Sequence, residues 1–161
     1  MRTLAIDFGL KRIGLAMSDP QGRMALPYAT LIKKDNARLL AQLQDILDQE
    51  GVQRLVVGLP LGLNGEETLS TRQAQNFAYR LGKAASLPVH LQDETLSSSE
   101  AAHRLHESGL HGRRQKAVLD QMAAVVILES FLEQEQAGHL TPGKDPQDHS
   151  SPLTDHQGQD R

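Results

Sequence analysis

Arg54–Leu59 constrains the fold more than any other segment. It reads Arg-Leu-Val-Val-Gly-Leu, an apolar run with no polar alternation. A strand with that pattern is buried on both faces, so its sheet needs cover on both sides. Helices are the usual cover in a layered domain, and the flanking sequence supplies them. Ala37–Gln49 places Leu39, Leu40, Leu43, Ile46 and Leu47 on one helical face, and Gly51 stops that helix. Leu69–Ala85 reads as a second helix, with Phe77, Leu81 and nearby alanines on its core side. Between them lies the glycine-rich loop 60–65.

Before the first helix, Thr3–Phe8, Ile13–Ser18 and Met24–Ile32 read as strands. Their close spacing predicts an antiparallel meander, and Pro27 favours an edge position for the third. After the second helix, Val89–Gln92 is a short fifth strand introduced by Pro88. A helix is expected over Ser98–Ser108, capped by Ser97 or Ser98. The segment HGRRQK follows as a polar basic loop. Asp120–Gln134 is the last helix, with Met122, Val125, Val126 and Leu132 on its apolar side. The expected architecture is α/β: a five-stranded mixed sheet, made of an antiparallel meander plus two parallel strands, flanked by helices. In such sheets, sites gather at the carboxyl ends of adjacent parallel strands.

The 161 residues suit one domain. Residues 1–136 carry its patterning. Residues 137–161 hold three of the seven prolines and few apolar side chains, so they are expected to form a disordered acidic tail. With no cysteine, disulfides and thiolate metal sites are excluded. No apolar run approaches the ~20 residues of a membrane span, and the N-terminus turns polar too early for a signal peptide. A cytoplasmic location without membrane attachment is therefore expected. The net charge is −3. The tail, with four aspartates against Lys144 and Arg161, accounts for most of it. A nearly neutral body is compatible with a local basic patch, so charge does not exclude a nucleic-acid partner.

Asp7 interrupts an apolar strand, where a carboxylate is costly unless a cation or donor offsets it. Gly9 and Gly14 allow backbone or phosphate to come close. The adjacent acids Asp93 and Glu94 end the fifth strand, and alternation lets only one of them face a shared site. Asp120 stands where the basic loop is expected to become a helix. Each acid also has a plainer reading: an exposed strand charge, a solvated strand end, a helix N-cap. Together they form an oxygen-rich set suited to Mg2+ or Mn2+. Two such ions support phosphodiester hydrolysis. His103 and His106 lack a third ligand at zinc spacing and read as surface or nucleic-acid-facing residues.

Arg113, Arg114 and Lys116, with His111, form the densest basic run, directly before Asp120. Lys11 and Arg12 lie in the first turn. These five cations are the candidate substrate-binding residues for a phosphodiester. With no Trp, two Tyr and three Phe, a stacking platform for single strands is not expected. Recognition through backbone and shape fits better.

Four ordered segments, LAIDFGLKRIGLAMSD, LVVGLPLGLNGEE, LQDETLSSSEA and KAVLDQMAAVVILESFLE, resemble the YqgF/RuvX family of Holliday-junction-resolvase-like pre-16S rRNA nucleases. The resemblance covers about residues 1–136 and implies an RNase H-like nuclease domain. It also implies that Asp7, Glu94 and Asp120 are the catalytic, metal-binding acids, and this selects Glu94 over Asp93. The implied partners are pre-rRNA and branched DNA. One departure is Thr95, where the family commonly has Arg after the Asp-Glu pair. A junction resolvase makes paired cuts, which would require a two-fold homodimer. The apolar face of the last helix or of Ser98–Ser108 would supply its interface. Two other classes share some of these features. An actin-like nucleotide-binding protein also uses Asp-x-Gly after a strand, but closes two domains around its ligand. A non-catalytic scaffold needs the fold and the basic run but no carboxylates.

Overall fold

The computed structural model describes residues 1–9, 11–93 and 112–138, apart from the side chains of residues 112–115. Strands β1 (Thr3–Phe8), β2 (Arg12–Ser18) and β3 (Ala25–Ile32) are followed by helix α1 (Asn36–Glu50), strand β4 (Arg54–Leu59), helix α2 (Leu69–Ala85), strand β5 (Val89–Asp93) and helix α3 (Gly112–Gln136). The sheet order is β3-β2-β1-β4-β5. β1–β2 and β2–β3 pair antiparallel, whereas β1–β4 and β4–β5 pair parallel. The meander plus two parallel strands is as expected, with Pro27 on the edge strand.

The alternation along the sheet is large against small more than apolar against polar. Leu4, Ile6, Phe8, Ile13, Leu15, Met17, Leu55, Val57 and Leu59 lie in one cluster with Leu39, Leu43 and Leu47 of α1 and Phe77, Ala78 and Leu81 of α2. The opposite face offers Ala5, Ala16 and Val56, which pack against Ala124, Val125, Ile127, Leu128 and Phe131 of α3. Bulky side chains fill the gap under two helices. Small ones let a single helix lie close to the strands. All six residues of β4 are buried, as the apolar run predicts.

Local signals set the helix ends. Asp35 caps α1 by accepting the Arg38 N–H at 2.8 Å, and Gly51 ends it in the left-handed region at φ 64°. Thr68 and Thr71 form a reciprocal capping box at the start of α2.

Two expectations are corrected. The segment HGRRQK is not a loop: from Gly112 onward it is the opening of α3. Arg, Gln, Lys and Ala are good helix formers, and packing of the apolar stretch that follows extends one continuous helix. Nor does the apolar face of α3 wait for a partner subunit, since it is already spent on the sheet. The expected Ser98–Ser108 helix lies outside the described residues, as does the tail after Gly138. Among the described residues no helix is long and apolar enough to cross a membrane.

Candidate functional site

Asp7 is the penultimate residue of β1, half-buried between the buried Ile6 and Phe8. Its register partners are Gly14 on β2 and Gly58 on β4. Strand alternation puts all three on the α3 face, the same face as Ala5. Asp7 therefore sits in a shallow trough between two glycines.

Asp120 reaches that trough from above. A Cβ placed on Gly14 would overlap the Asp120 carbonyl oxygen and stand 3.0 Å from Asp120 Cβ. Gly14 is thus the point where helix backbone touches sheet, and it brings Asp7 and Asp120 to opposite sides of one residue. Asp120 is not the start of a helix, as the sequence suggested. It lies about two turns inside α3, so capping does not explain it. Flanking contacts hold the helix there: the Thr30 hydroxyl donates to the Ala117 carbonyl at 2.6 Å, and Gln121 Nε2 donates to Thr30 Oγ1 at 3.2 Å.

Asp120 is already engaged. Arg12 Nε donates to its Oδ2 at 2.7 Å, with the Arg12 side chain 37% exposed and that of Asp120 18%. Arg12, expected to bind substrate, is thus an ion-pair partner of an expected metal ligand. Asp93 pairs with Leu59 and is exposed, on the sheet face opposite Asp7. It does not join the site. Glu94 lies outside the described residues, and among the described residues no three acidic or imidazole side chains cluster. Asp7 and Asp120, which both neighbour Gly14, are hard carboxylate donors, a pair that fits Mg2+ or Mn2+ and not a soft metal.

Of the five expected cations, Lys11 is exposed in the turn between β1 and β2, and Lys116 is exposed one turn before Asp120 on α3. Arg113 and Arg114 fall in the first turn of α3, with side chains outside the described set. Two further lysines join this end of the sheet. The Lys33 backbone N–H donates to the Lys11 carbonyl at 2.8 Å, and its Nζ stands 4.5 Å from the centre of the Phe8 ring. Lys34 follows, exposed. The signal was present in the sequence: a Lys-Lys pair ends the third strand, and a meander returns that end to the start of the second. Exposed Lys11, Lys34 and Lys116 thus lie near the Asp7–Asp120 end of the sheet, whereas the Lys33 ammonium, over Phe8, lies on the sheet face opposite Asp7.

The opposite end of α3 carries a different cluster. Arg54 is buried at the start of β4, and its Nε donates to Thr3 Oγ1 at 2.7 Å. Its terminal nitrogens grip Glu135 in a two-pronged pair, and its guanidinium lies 4.8 Å over the Phe131 ring. The His90 ring lies tilted against Phe131, with ring centres 4.9 Å apart. The hydrogen bonds from Arg54 hold the Glu135 carboxyl below its usual range. Burial, then repulsion from Arg54, lowers the His90 imidazole.

A model of the family described as "RuvX: Holliday junction resolvase" matches residues 1–134. Relatives named "Putative pre-16S rRNA nuclease" include one from Maridesulfovibrio salexigens, 47% identical over 82% of this chain and 98% of that protein. Another, from Clavibacter michiganensis subsp. michiganensis, is 47% identical over 87% of this chain and 88% of its own length. Among solved structures, Thermus thermophilus RuvC matches with a TM-score of 0.59 at 17% identity, over 88% of this chain and 99% of that one. The same protein in complex with a Holliday junction substrate gives 0.60. At that identity the likeness speaks to the fold alone, which is RNase H-like. The family match and the near-complete alignment with close relatives carry the identification: this chain belongs to the RuvX family.

Proposed function

We propose that this protein is a divalent-metal-dependent endonuclease that hydrolyses phosphodiester bonds in structured nucleic acid. The substrates are the pre-16S rRNA 5′ leader, four-way DNA junctions, or both. The observation that carries the reading is that Asp7 and Asp120, far apart in the chain, both neighbour Gly14. Two carboxylates that share one glycine neighbour, with exposed lysines close by, suit a metal centre that works on phosphate. The names borne by the family relatives support the same reading.

Asp7 and Asp120 would hold the cation, with Glu94 as the third acid by family resemblance. Mg2+ or Mn2+ bound there supplies Lewis-acid polarisation of the phosphodiester and lowers the cost of activating water. The protein's own part is placement. Gly14 lets α3 descend far enough to present Asp120. Lys11, Lys34 and Lys116 hold the phosphate backbone beside the site. The near absence of aromatic side chains assigns recognition to shape and backbone. Cleavage of a junction needs paired cuts, so that activity carries a two-fold dimer with it.

The test is cleavage of a labelled four-way junction, a linear duplex and a pre-rRNA 5′ leader in Mg2+, Mn2+ or EDTA. Asp7→Asn, Glu94→Gln and Asp120→Asn are each expected to abolish cutting while the far-ultraviolet circular dichroism stays that of the parent. Cutting in EDTA, or full activity in any two of the variants, sinks the mechanism.

A further inference from the structure

We infer that Arg12 is a positioning residue that contends with the catalytic cation for Asp120, holding the carboxylate until a cation binds and then turning to a substrate phosphate. The inference rests on the nuclease reading and deepens it.

Three observations lead to it. First, the contact is single: Arg12 uses Nε on Asp120 Oδ2 at 2.7 Å. Among the described residues its two terminal nitrogens have no carboxylate partner. Secondly, Arg12 is 37% exposed and Asp120 18%, so the guanidinium lies at the rim and the carboxylate within. Thirdly, the helix does not hang on this pair. Thr30 and Gln121 fasten α3 on either side of Asp120, and Arg54 and Glu135 fasten its far end.

The chemistry then forces a choice. A guanidinium stays charged at every pH a protein meets, so it cannot make way for a dication by losing a proton. Both cations against one carboxylate repel each other at short range. A cation that takes Oδ2, the oxygen Arg12 holds, therefore displaces Arg12 as it arrives. Its flexible stem springs from the first residue of β2, next to Lys11 and paired in register with Ile32, just before Lys33. That rim is where a phosphodiester would lie, and a fork of donors freed from Asp120 matches phosphate geometry. Cation and nucleic acid would then favour each other's binding, because each removes a partner that the other must displace.

Calorimetric titration of Mn2+ into the folded full-length chain, without nucleic acid, tests this. Arg12→Gln is expected to bind Mn2+ about fivefold more tightly than the parent, the factor matching an exposed ion pair of about 1 kcal/mol. Arg12→Lys, which keeps the charge, should fall between the two. The gain should vanish when Asp120→Asn is combined with Arg12→Gln. In cleavage assays Arg12→Gln should need less Mn2+ for half-maximal rate but show a higher KM for nucleic acid. Equal or weaker Mn2+ binding by Arg12→Gln, with the parent binding Mn2+ and cutting, overturns the role of Arg12 alone. A parent that neither binds Mn2+ nor cuts overturns the nuclease reading and this inference with it.

Discussion

Helix α3 is tied to the sheet by two arginine–carboxylate pairs, one about two turns inside its start and one in its last turn, and the two differ in kind. Arg54 has a 7% exposed side chain, donates to Thr3 and to both oxygens of Glu135, and lies over Phe131. Arg12 is 37% exposed and makes one contact with Asp120. The number of partners and the depth of burial separate a fastener from a contact that another cation can contest. A desolvated guanidinium with all three nitrogens hydrogen-bonded has nowhere better to go. A rim arginine held, among the described residues, by one bond loses little by leaving. The chain thus anchors its long helix at the end away from the site and leaves the site end open to competition.

Breaking each pair should give opposite phenotypes. The largest expected effect is on rate: Asp120→Asn should slow cleavage by about a thousandfold, or about 4 kcal/mol of barrier, while the thermal midpoint moves by only a few degrees. A midpoint that collapses together with the rate would make Asp120 a second fastener. Next comes Arg54→Met, which should lower unfolding free energy in urea by about 2 kcal/mol. That is less than for a fully buried pair, since Glu135 is 37% exposed. The remaining folded protein should cut normally.

Gly14→Ala probes the Asp120 end itself. A methyl group there meets the backbone of Asp120, so α3 must lift, at about 1–3 kcal/mol of overpacking strain. Cleavage should fall more than stability, because Asp120 is moved away from Asp7. A variant with parental activity would show that the approach of the helix is not what assembles the site.

The Arg54 end should also respond to pH. His90 and Glu135 are both lowered in the folded protein, His90 chiefly by burial and Glu135 chiefly by hydrogen bonds from Arg54. The unfolded chain therefore takes up protons at these groups before the folded one does. Their contribution is full at neutral pH and starts to fall below about pH 6.5, the ordinary histidine value. It falls further as the pH drops through the carboxylate range. Urea midpoints measured across pH should show Glu135→Gln flattening the lower part of this loss. The smallest effect is expected for Arg12→Gln, under about 1 kcal/mol of stability.

Strand and helix positions were largely legible in the residues. The buried run at 54–59, the leucine stripe of α1 and the Pro27 edge all match the structure, because burial pattern and backbone chemistry are local. The opening of α3 was misread because a basic run looks like a loop when its apolar continuation is considered separately. Lys33 and Lys34 show the reverse: the pair is visible in the sequence, but only the returning meander brings it beside Lys11.

The sequence by itself determined that Asp7 interrupts an apolar strand, that a meander precedes two parallel strands, and that acids recur near strand ends. Those are consequences of periodicity and desolvation, which act along the chain. It did not determine that Gly14 serves helix approach, that Asp120 lies inside a helix, or that Arg12 claims Asp120 first. These follow from how closely one helix can lie on a face of small side chains, and closeness between distant residues is set by packing in three dimensions.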